Sequence, residues 1–157
     1  MSMKQSGSFV LAAALGLAAW LFAPACLAVL GQDVSTVESD RQQLHSDTVK
    51  RSARAAYSVH EMTIPSGTLV REYVSSSGAV FAITWSGPTI PNLQQLMGAH
   101  FATMANSPRR QSGGRGHMHL EDGALVVEST GRARSHFQGR AYLSNALPAG
   151  ARADEIQ

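Results

Sequence analysis

A period-two alternation of apolar and polar residues, broken by two loops that end in glycine, constrains the fold more than any other feature of the sequence. The alternation runs from Ala55 to Ser86, and the loops are Pro65-Ser66-Gly67 and Ser76-Ser77-Gly78. Three-residue hairpin loops favour glycine where the backbone needs a positive φ. The pattern therefore predicts a three-stranded antiparallel meander, with strands over about 56–64, 68–75 and 79–86.

The two loops also predict which residues lie opposite each other. Counting outward from Pro65-Ser66-Gly67 places Glu61 opposite Arg71 and His60 opposite Glu72. Successive strand residues point to opposite faces, so each face of the sheet receives one pair of partners. Because an unpaired buried charge is costly, we interpret Glu61, Arg71, His60 and Glu72 as structural ion pairs that set the register. The alternative is that Arg71 binds an anionic ligand.

The second loop extends this register to the third strand. It predicts that Tyr73 lies opposite Phe81, with Arg71 opposite Ile83 and Leu69 opposite Trp85. The larger and more aromatic face then carries Arg71, and we expect a helix to cover it. The residues predicted for this face are Val59, Glu61, Leu69, Arg71, Tyr73, Phe81, Ile83 and Trp85.

Two segments have helical signals. Ser35-Thr36-Val37-Glu38 matches the S-x-x-E capping box and predicts a short helix through about His45. After Gly87-Pro88, apolar residues recur at helical spacing and predict a helix over about 92–105. Residues 46–54 are polar and basic, and are expected to connect the first helix to the meander.

The second half of the chain adds further strands. A Gly-rich basic loop covers 107–116, and its Arg109, Arg110 and Arg115 are candidates for contact with an anion, or else solvated loop residues. The Asp122-Gly123 dipeptide predicts a two-residue hairpin loop between strands over 117–121 and 124–129. A last strand is predicted over about 136–143. The fold class is therefore α+β, an antiparallel sheet with one helix packed on a face and a short N-terminal helix.

His117, His119 and Glu128 form the best metal-site candidate. The Asp122-Gly123 loop places His117 opposite Glu128, and His119 lies on the same face. Two imidazoles and a carboxylate can bind zinc or iron. The alternative is that these side chains simply face solvent, because Met118 and Leu120 make the other face apolar.

The sequence offers no nucleophile motif for catalysis. His100 lies in the apolar stripe of the 92–105 helix, either as a general base or as an interior histidine at the edge of the core. The G-x-S-x-G, S-x-x-K, P-loop, G-x-G-x-x-G, H-E-x-x-H and C-x-x-C-H motifs are all missing from the sequence. We expect no cofactor, and a non-enzymatic role is favoured over an enzymatic one.

The first 28 residues have the layout of a secretory signal peptide. Lys4 lies in a short polar start, Phe9 to Phe22 is almost purely apolar, and small residues follow up to Ala28. The apolar run is shorter than the roughly 20 residues of a spanning helix. We expect cleavage after Ala28, one domain over 29–145 and a loose C-terminal tail over 146–157.

An alternative cleavage after Ala25 would leave Cys26 as an acylated N-terminus, as in a lipoprotein. Cys26 is the only cysteine in the sequence, so cleavage after Ala28 would leave no thiol for a disulfide or a metal site. The chain has 13 basic and 11 acidic residues. This near balance argues against a nucleic-acid binder and against a membrane-surface binder.

Several stretches together resemble a known family. They are V-H-E-M-T-I-P-S-G-T-L-V-R-E-Y-V, G-A-V-F-A-I-T-W-S-G-P and P-N-L-Q-Q-L-M-G. Over about residues 29–145 the chain is similar to domain of unknown function 2844, an uncharacterised family of exported proteobacterial proteins. The resemblance implies a small exported domain and transfers no catalytic residue.

These observations lead to three functional hypotheses. The first is an exported, non-enzymatic domain that binds an envelope component or another exported protein. The second is a metal- or small-ligand-binding protein that uses His117, His119 and Glu128. The third is an envelope protein anchored by a lipid on Cys26, the one case in which the mature protein would contact a membrane.

Overall fold

A computed structural model of the chain describes residues 30–108, 110–113, 116–131 and 136–157. The predicted signal peptide, both cleavage sites and Cys26 lie outside the described residues. The described chain forms three α-helices, eight strands and two short 3-10 helices. Their bounds are α1 Thr36–Gln43, β1 Val49–Ala53, β2 Tyr57–Thr63, β3 Leu69–Ser75, β4 Val80–Gly87, α2 Leu93–Met97, α3 Ala99–Asn106, β5 Gln111–Gly113, β6 His117–Asp122, β7 Leu125–Gly131, β8 Phe137–Leu143, and the 3-10 helices Ser144–Ala146 and Ala153–Glu155.

All eight described strands belong to one antiparallel sheet, in the order β1-β2-β3-β4-β8-β7-β6-β5. The sheet consists of two meanders, β1 to β4 and β5 to β8, which join where β4 pairs with β8. Helices α2 and α3 lie in the connection between the meanders. The predicted α+β class and antiparallel sheet are confirmed, although most of the described structure is sheet.

The first predicted hairpin has the expected register. Ile64 N donates to Thr68 O at 3.0 Å across the loop, and Gly67 has a φ of +84°. Glu61 lies opposite Arg71 and His60 lies opposite Glu72. A regular ladder follows from a loop of known length, so counting outward from the glycine is sufficient here.

The second hairpin departs from the prediction at a β-bulge. Val74 lies opposite Val80, as the loop predicts, but Tyr73 then lies opposite Ala82 because Phe81 is an extra residue in β4. A bulge inserts one unpaired residue and shifts the rest of the strand by one. Arg71 therefore faces Thr84 instead of Ile83, and Leu69 faces Ser86 instead of Trp85.

This shift places Ile83 and Trp85 on the face that carries Glu72, which we call the Glu72 face. The helices pack on this face, and the prediction that they cover the Arg71 face is wrong. The main core on the Glu72 face consists of Leu30, Val37, Leu44, Met62, Val70, Val74, Val80, Ile83, Trp85, Leu96, Met97, Met104, Leu120, Leu125, Val127, Ala141 and Leu143.

The predicted 92–105 helix is divided in two at Gly98. Gly98 has φ +50° and ψ −123°, a conformation that ends α2 and allows α3 to start in a new direction. Asn92 caps α2 through its side chain, which accepts a hydrogen bond from Gln95 N at 3.2 Å. Of the apolar stripe, Leu96, Met97 and Met104 are buried, whereas Phe101 and His100 are half-buried.

Helix α1 is present, but the capping box does not start it. Ser35 makes no side-chain cap, and Glu38 forms an ion pair with Arg41 at 2.6 Å. Asp33 supplies the contacts at this end instead, since its side chain accepts from Ser35 N and its carbonyl accepts from Thr36 N. Helix α1 ends at Gln43, close to the predicted end at about His45.

The polar segment predicted as a connector contains strand β1. Val49–Ala53 pairs with β2, with Val49 opposite Met62 at one end and Ala53 opposite Ser58 at the other. Within the described sheet, β1 is the outer strand beside β2. An outer strand can be polar on both faces. Because β1 lacks the alternation of apolar and polar residues, the sequence pattern did not predict it.

The C-terminal segment 146–157, expected to be a loose tail, packs against the Arg71 face. Ile156 is only 2% exposed and joins Tyr73, Phe81 and Ala82 in a second apolar cluster. The rings of Tyr57, Tyr73 and Phe81 pack against one another, with centroids 5.7 to 6.2 Å apart. The apolar Ile156 side chain anchors this segment because the aromatic cluster removes it from water.

Candidate functional site

A row of polar side chains crosses the Arg71 face from strand to strand. The strand pairings align one residue of each strand with the next, and most residues in the row are charged or titratable. From β5 to β1 the row is Gln111, His119, Glu128, Arg140, Thr84, Arg71, Glu61 and Lys50.

Arg71 binds both its strand neighbour and the C-terminal segment. Its Nε donates to Glu61 Oε2 at 2.8 Å, and its Nη1 donates to the main-chain oxygen of Gln157 at 3.1 Å. Both ion-pair side chains are about one third exposed. The predicted pairing of Arg71 with Glu61 therefore exists, but on the face that the helices leave open.

Arg140 makes the equivalent contacts on β8, two strands away from Arg71 in the sheet. Its Nε and Nη2 each lie 2.6 Å from Glu128 Oε2, and its Nη1 donates to the Ala153 carbonyl at 2.6 Å. The guanidinium carbon also lies 5.7 Å from the ring centre of Tyr142. A planar guanidinium can make all these contacts together because its donors are fixed in a fork.

Between these two arginines the Arg71 face has a groove of about 620 Å³, which we call the arginine groove. Arg71 and Arg140 are separated by the single strand β4, so their Cα atoms are roughly 10 Å apart. Glu128 supplies the one carboxylate side chain of the lining. The remaining lining consists mainly of hydroxyl, amide and glycine residues with the C-terminal segment at one side: Ser86, Ser129, Thr130, Gln138, Gly139, Ile156 and Gln157, together with Trp85.

Ser86 in this groove is paired with a histidine. Its Oγ lies 2.8 Å from His136 Nε2, a distance suited to a serine and a general base. A catalytic serine also needs a group that orients the histidine and donors that bind an oxyanion. Within the described residues no ion pair joins a carboxylate to His136.

The metal-site candidate has a different register from the predicted one. The loop is Gly123-Ala124 instead of Asp122-Gly123, because Asp122 itself pairs with Leu125. His119 therefore lies opposite Glu128, in place of His117, with 3.4 Å between Nδ1 and Oε1. In the described parts of the chain, no three His, Cys, Asp or Glu side chains come together to hold a metal.

The remaining predicted residues lie apart from the arginine groove. His100 is half-buried on α3 and does not line it. Arg110 is exposed, and its backbone N donates to Ser107 O at 3.3 Å. Arg109 and Arg115 lie outside the described residues. His60 is buried opposite Glu72, but it makes no hydrogen bond to either Glu72 oxygen, and its Nε2 lies 3.3 Å from Ser58 Oγ.

Glu72 instead meets a residue that sequence reasoning missed, Asp40 of α1. Each residue is 1% exposed, and Gln95 Nε2 donates to Asp40 Oδ1 at 2.8 Å. Burial raises the pKa of Asp40 to about 6, and it raises the pKa of Glu72 well above its ordinary value, with Asp40 adding to that rise. A signal existed in the sequence, because Asp40 lies three residues after Val37 and four before Leu44, on the buried side of the helix.

Comparisons with known proteins are consistent with the resemblance noted from the sequence. No curated protein and no solved structure matches the chain significantly. Within the described residues no helix has the length and apolar character needed to cross a membrane. A family model described as "Protein of unknown function (DUF2844)" matches residues 26–156. The match covers most of the sequence, and the chain therefore belongs to the family of domain of unknown function 2844.

Proposed function

We propose that this protein is an exported, non-enzymatic binding domain whose arginine groove binds an anionic group of an envelope component or of another exported protein. The export part of the proposal rests on the signal-peptide layout of residues 1–28. The binding part rests on the groove. Its ligand chemistry follows from the charges of the groove lining.

The observation that carries the proposal is the presence of two guanidinium side chains and one carboxylate side chain in the same open groove. A guanidinium has five N–H donors, and the contacts of Arg71 described above use two of them. Arg71 therefore keeps donors for a carboxylate or phosphate oxygen, which arginine binds in a fork. The side chain is already held by Glu61, so binding requires little further ordering of Arg71.

The surrounding groups fit binding better than catalysis. Ser86, Thr130 and Gln138 supply neutral hydrogen-bonding groups that can orient a polar ligand. The Ser86–His136 contact lacks an orienting carboxylate among the described residues. A preformed polar groove without a complete catalytic set favours a ligand that is held and not converted.

A capture experiment with a matched control tests this function. The purified protein is immobilised and exposed to an envelope fraction, and retained molecules are identified by mass spectrometry. Arg71→Gln removes a charge from the groove, whereas Arg51→Gln removes an exposed charge from β1, outside the groove. We expect Arg71→Gln to lose a partner that the wild type and Arg51→Gln retain. If Arg71→Gln retained every partner, the arginine groove would not be the binding site.

A second candidate function is metal or small-ligand binding near His119. The observation in its favour is a separate groove of about 490 Å³, lined by His117, His119 and Glu128 among others. Elemental analysis of protein purified without a histidine tag tests it. A bound transition metal that His117→Ala removes would support the site, and metal-free protein would eliminate it.

A third candidate is an envelope protein anchored through Cys26. Mass spectrometry of the mature N-terminus separates this possibility from simple export. A chain that starts at Val29 supports cleavage after Ala28 and eliminates the anchor. A lipid-modified Cys26 at the N-terminus supports the anchor, and an uncleaved chain would contradict both.

A further inference from the structure

Two buried carboxyl groups meet where α1 packs on the sheet. Asp40 extends from α1 and Glu72 from β3, and each is 1% exposed. Gln95 of α2 is 8% exposed and donates to Asp40 Oδ1 at 2.8 Å. Three elements of the Glu72 face therefore converge on one pair of acids.

The hydrogen bonds of this pair require a proton. With both groups ionised, neither oxygen of Glu72 has a hydrogen-bond partner, because a carboxylate accepts and cannot donate. When one group is protonated, its O–H can donate to the other, and a Glu72–Asp40 hydrogen bond forms. A buried polar group without a partner is costly, so the protonated pair is strongly favoured.

No cation on the neighbouring elements substitutes for this proton. Among the described residues, neither Lys nor Arg makes an ion pair with Asp40 or Glu72. The residues opposite Glu72 are His60 on β2 and Ile83 on β4. The His60 ring contacts Ser58, and burial, followed by the nearby charge of Arg51, lowers its pKa and so acts against its protonation.

We propose that Asp40 and Glu72 form a proton-dependent latch, in which one shared proton fastens α1 to the sheet and its loss releases α1. The like charges of the two carboxylates, placed in the core, would then push the helix from β3. Val37 and Leu44 of this region pack into the main core, so release would expose apolar surface on the Glu72 face. The latch lies on the opposite face from the arginine groove and does not depend on the proposed ligand.

The direction of the pH effect follows from the two acids. Burial raises the pKa of Asp40 to about 6 and that of Glu72 well above 4.5. An acid with a raised pKa in the folded state stabilises the fold below its ordinary pKa, and the contribution is lost as the pH rises through the folded value. The pair keeps its shared proton until the second of the two acids ionises, so the latch is closed in mild acid and opens as the pH rises above the raised pKa values of both acids.

Hydrogen exchange of the full chain, followed by mass spectrometry from pH 5 to pH 8, tests the latch. After correction for the intrinsic exchange rate, we expect the protection of α1 to fall by at least about tenfold across this range, the change that one pKa unit gives. The strands β4 and β8 serve as the internal reference. Equal protection of α1 at pH 5 and at pH 8 would overturn the proposal.

Two variants and one control separate the latch from a general effect of pH. Glu72→Gln supplies a permanent amide donor, so the pH dependence of α1 protection should become much weaker. Asp40→Asn removes the like charge beside Glu72 and should also weaken the pH dependence, although burial still raises the pKa of Glu72. Glu38→Gln removes an acid from the same helix whose side chain is 58% exposed, and it should retain the wild-type pH dependence. A pH dependence as large as that of the wild type in both buried variants would contradict the latch. If neither variant folds, the hydrogen exchange of the wild type from pH 5 to pH 8 alone decides whether the latch exists.

Discussion

Arg140 joins Glu128 to the carbonyl of Ala153, and all the nitrogen–oxygen distances in this contact are 2.6 Å. One guanidinium therefore ties β8 to β7 on one side and to the C-terminal segment on the other. Its side chain is about one quarter exposed, so solvent screens it less than a fully exposed ion pair. The C-terminal segment is held by polar contacts at Arg140 and Arg71, and by apolar contacts at Ile156.

Arg140→Gln tests the polar contacts. We expect the free energy of unfolding to fall by about 2 kcal/mol, because hydrogen bonds to charged groups are lost and Glu128 keeps no strong partner. Urea unfolding measures this change, and limited proteolysis should show faster cleavage between residues 147 and 157. Arg152→Gln removes the exposed pair with Asp154 and should change stability by less than about 0.5 kcal/mol. Equal stabilities of the two variants would contradict the role of Arg140.

Ile156→Ala tests the apolar contacts. Because Ile156 is 2% exposed against Tyr73 and Phe81, its truncation should cost about 2 kcal/mol or more. Ile90→Ala makes the same change at a side chain that is 49% exposed, and it should be nearly neutral. Thermal and urea unfolding of both variants provide the comparison. A neutral Ile156→Ala would show that the segment is not anchored in solution.

Gly139→Ala tests the packing of β8 on β4. A Cβ at Gly139 would overlap the indole ring of Trp85, which is only 1% exposed and cannot move away freely. We expect a loss of about 3 kcal/mol from this overpacking. At Gly123 a Cβ would meet no atom within 4 Å, so Gly123→Ala should cost only about 1 kcal/mol, through its φ of +62°. A smaller loss at Gly139 than at Gly123 would refute the predicted clash.

His60→Gln tests a pH effect opposite in sign to that of the acid latch. Burial, and then the charge of Arg51, lower the pKa of His60. The folded state therefore favours the neutral ring, and this contribution to stability is lost as the pH falls below 6.5 and through the lowered value. Of the groups around it, Glu72 lies opposite on β3 and Arg51 lies opposite on β1.

The measurement is the free energy of unfolding at pH 7.5 and at pH 4.5. We expect the loss of stability on acidification to be smaller in His60→Gln than in the wild type, with exposed His117→Gln as the matched control. An unchanged loss in His60→Gln would show that His60 does not contribute to the acid side of the stability curve.

The sequence predicted the fold well where local rules determine it. A glycine-ending loop determined the β2–β3 register, and Glu61 therefore lies opposite Arg71. The prediction from sequence failed at Phe81, because a β-bulge depends on how the strand packs and has no recognisable residue pattern. One extra residue there was enough to place Ile83 and Trp85 on the other face and to reverse which face the helices cover.

The candidate site was predicted only in part, for the same reason. Arg71 and Glu61 could be paired from one hairpin, but Arg140 and Glu128 join the same row only through the β4–β8 and β7–β8 pairings. The Asp40–Glu72 contact likewise joins α1 to β3 across the core. Tertiary packing, and not local sequence, selects such partners.

The division of the sheet into two meanders has a consequence for how the chain folds. Within each meander, every strand pairs with its neighbour in sequence, so those contacts close short loops and form quickly. The β4–β8 seam, in contrast, joins Gly87 to Phe137 across the connection between the meanders and across strands β5, β6 and β7. We expect two hairpin arrays to form early and independently, and the docking of their edges along this seam to be the slow step that commits the chain to its native state.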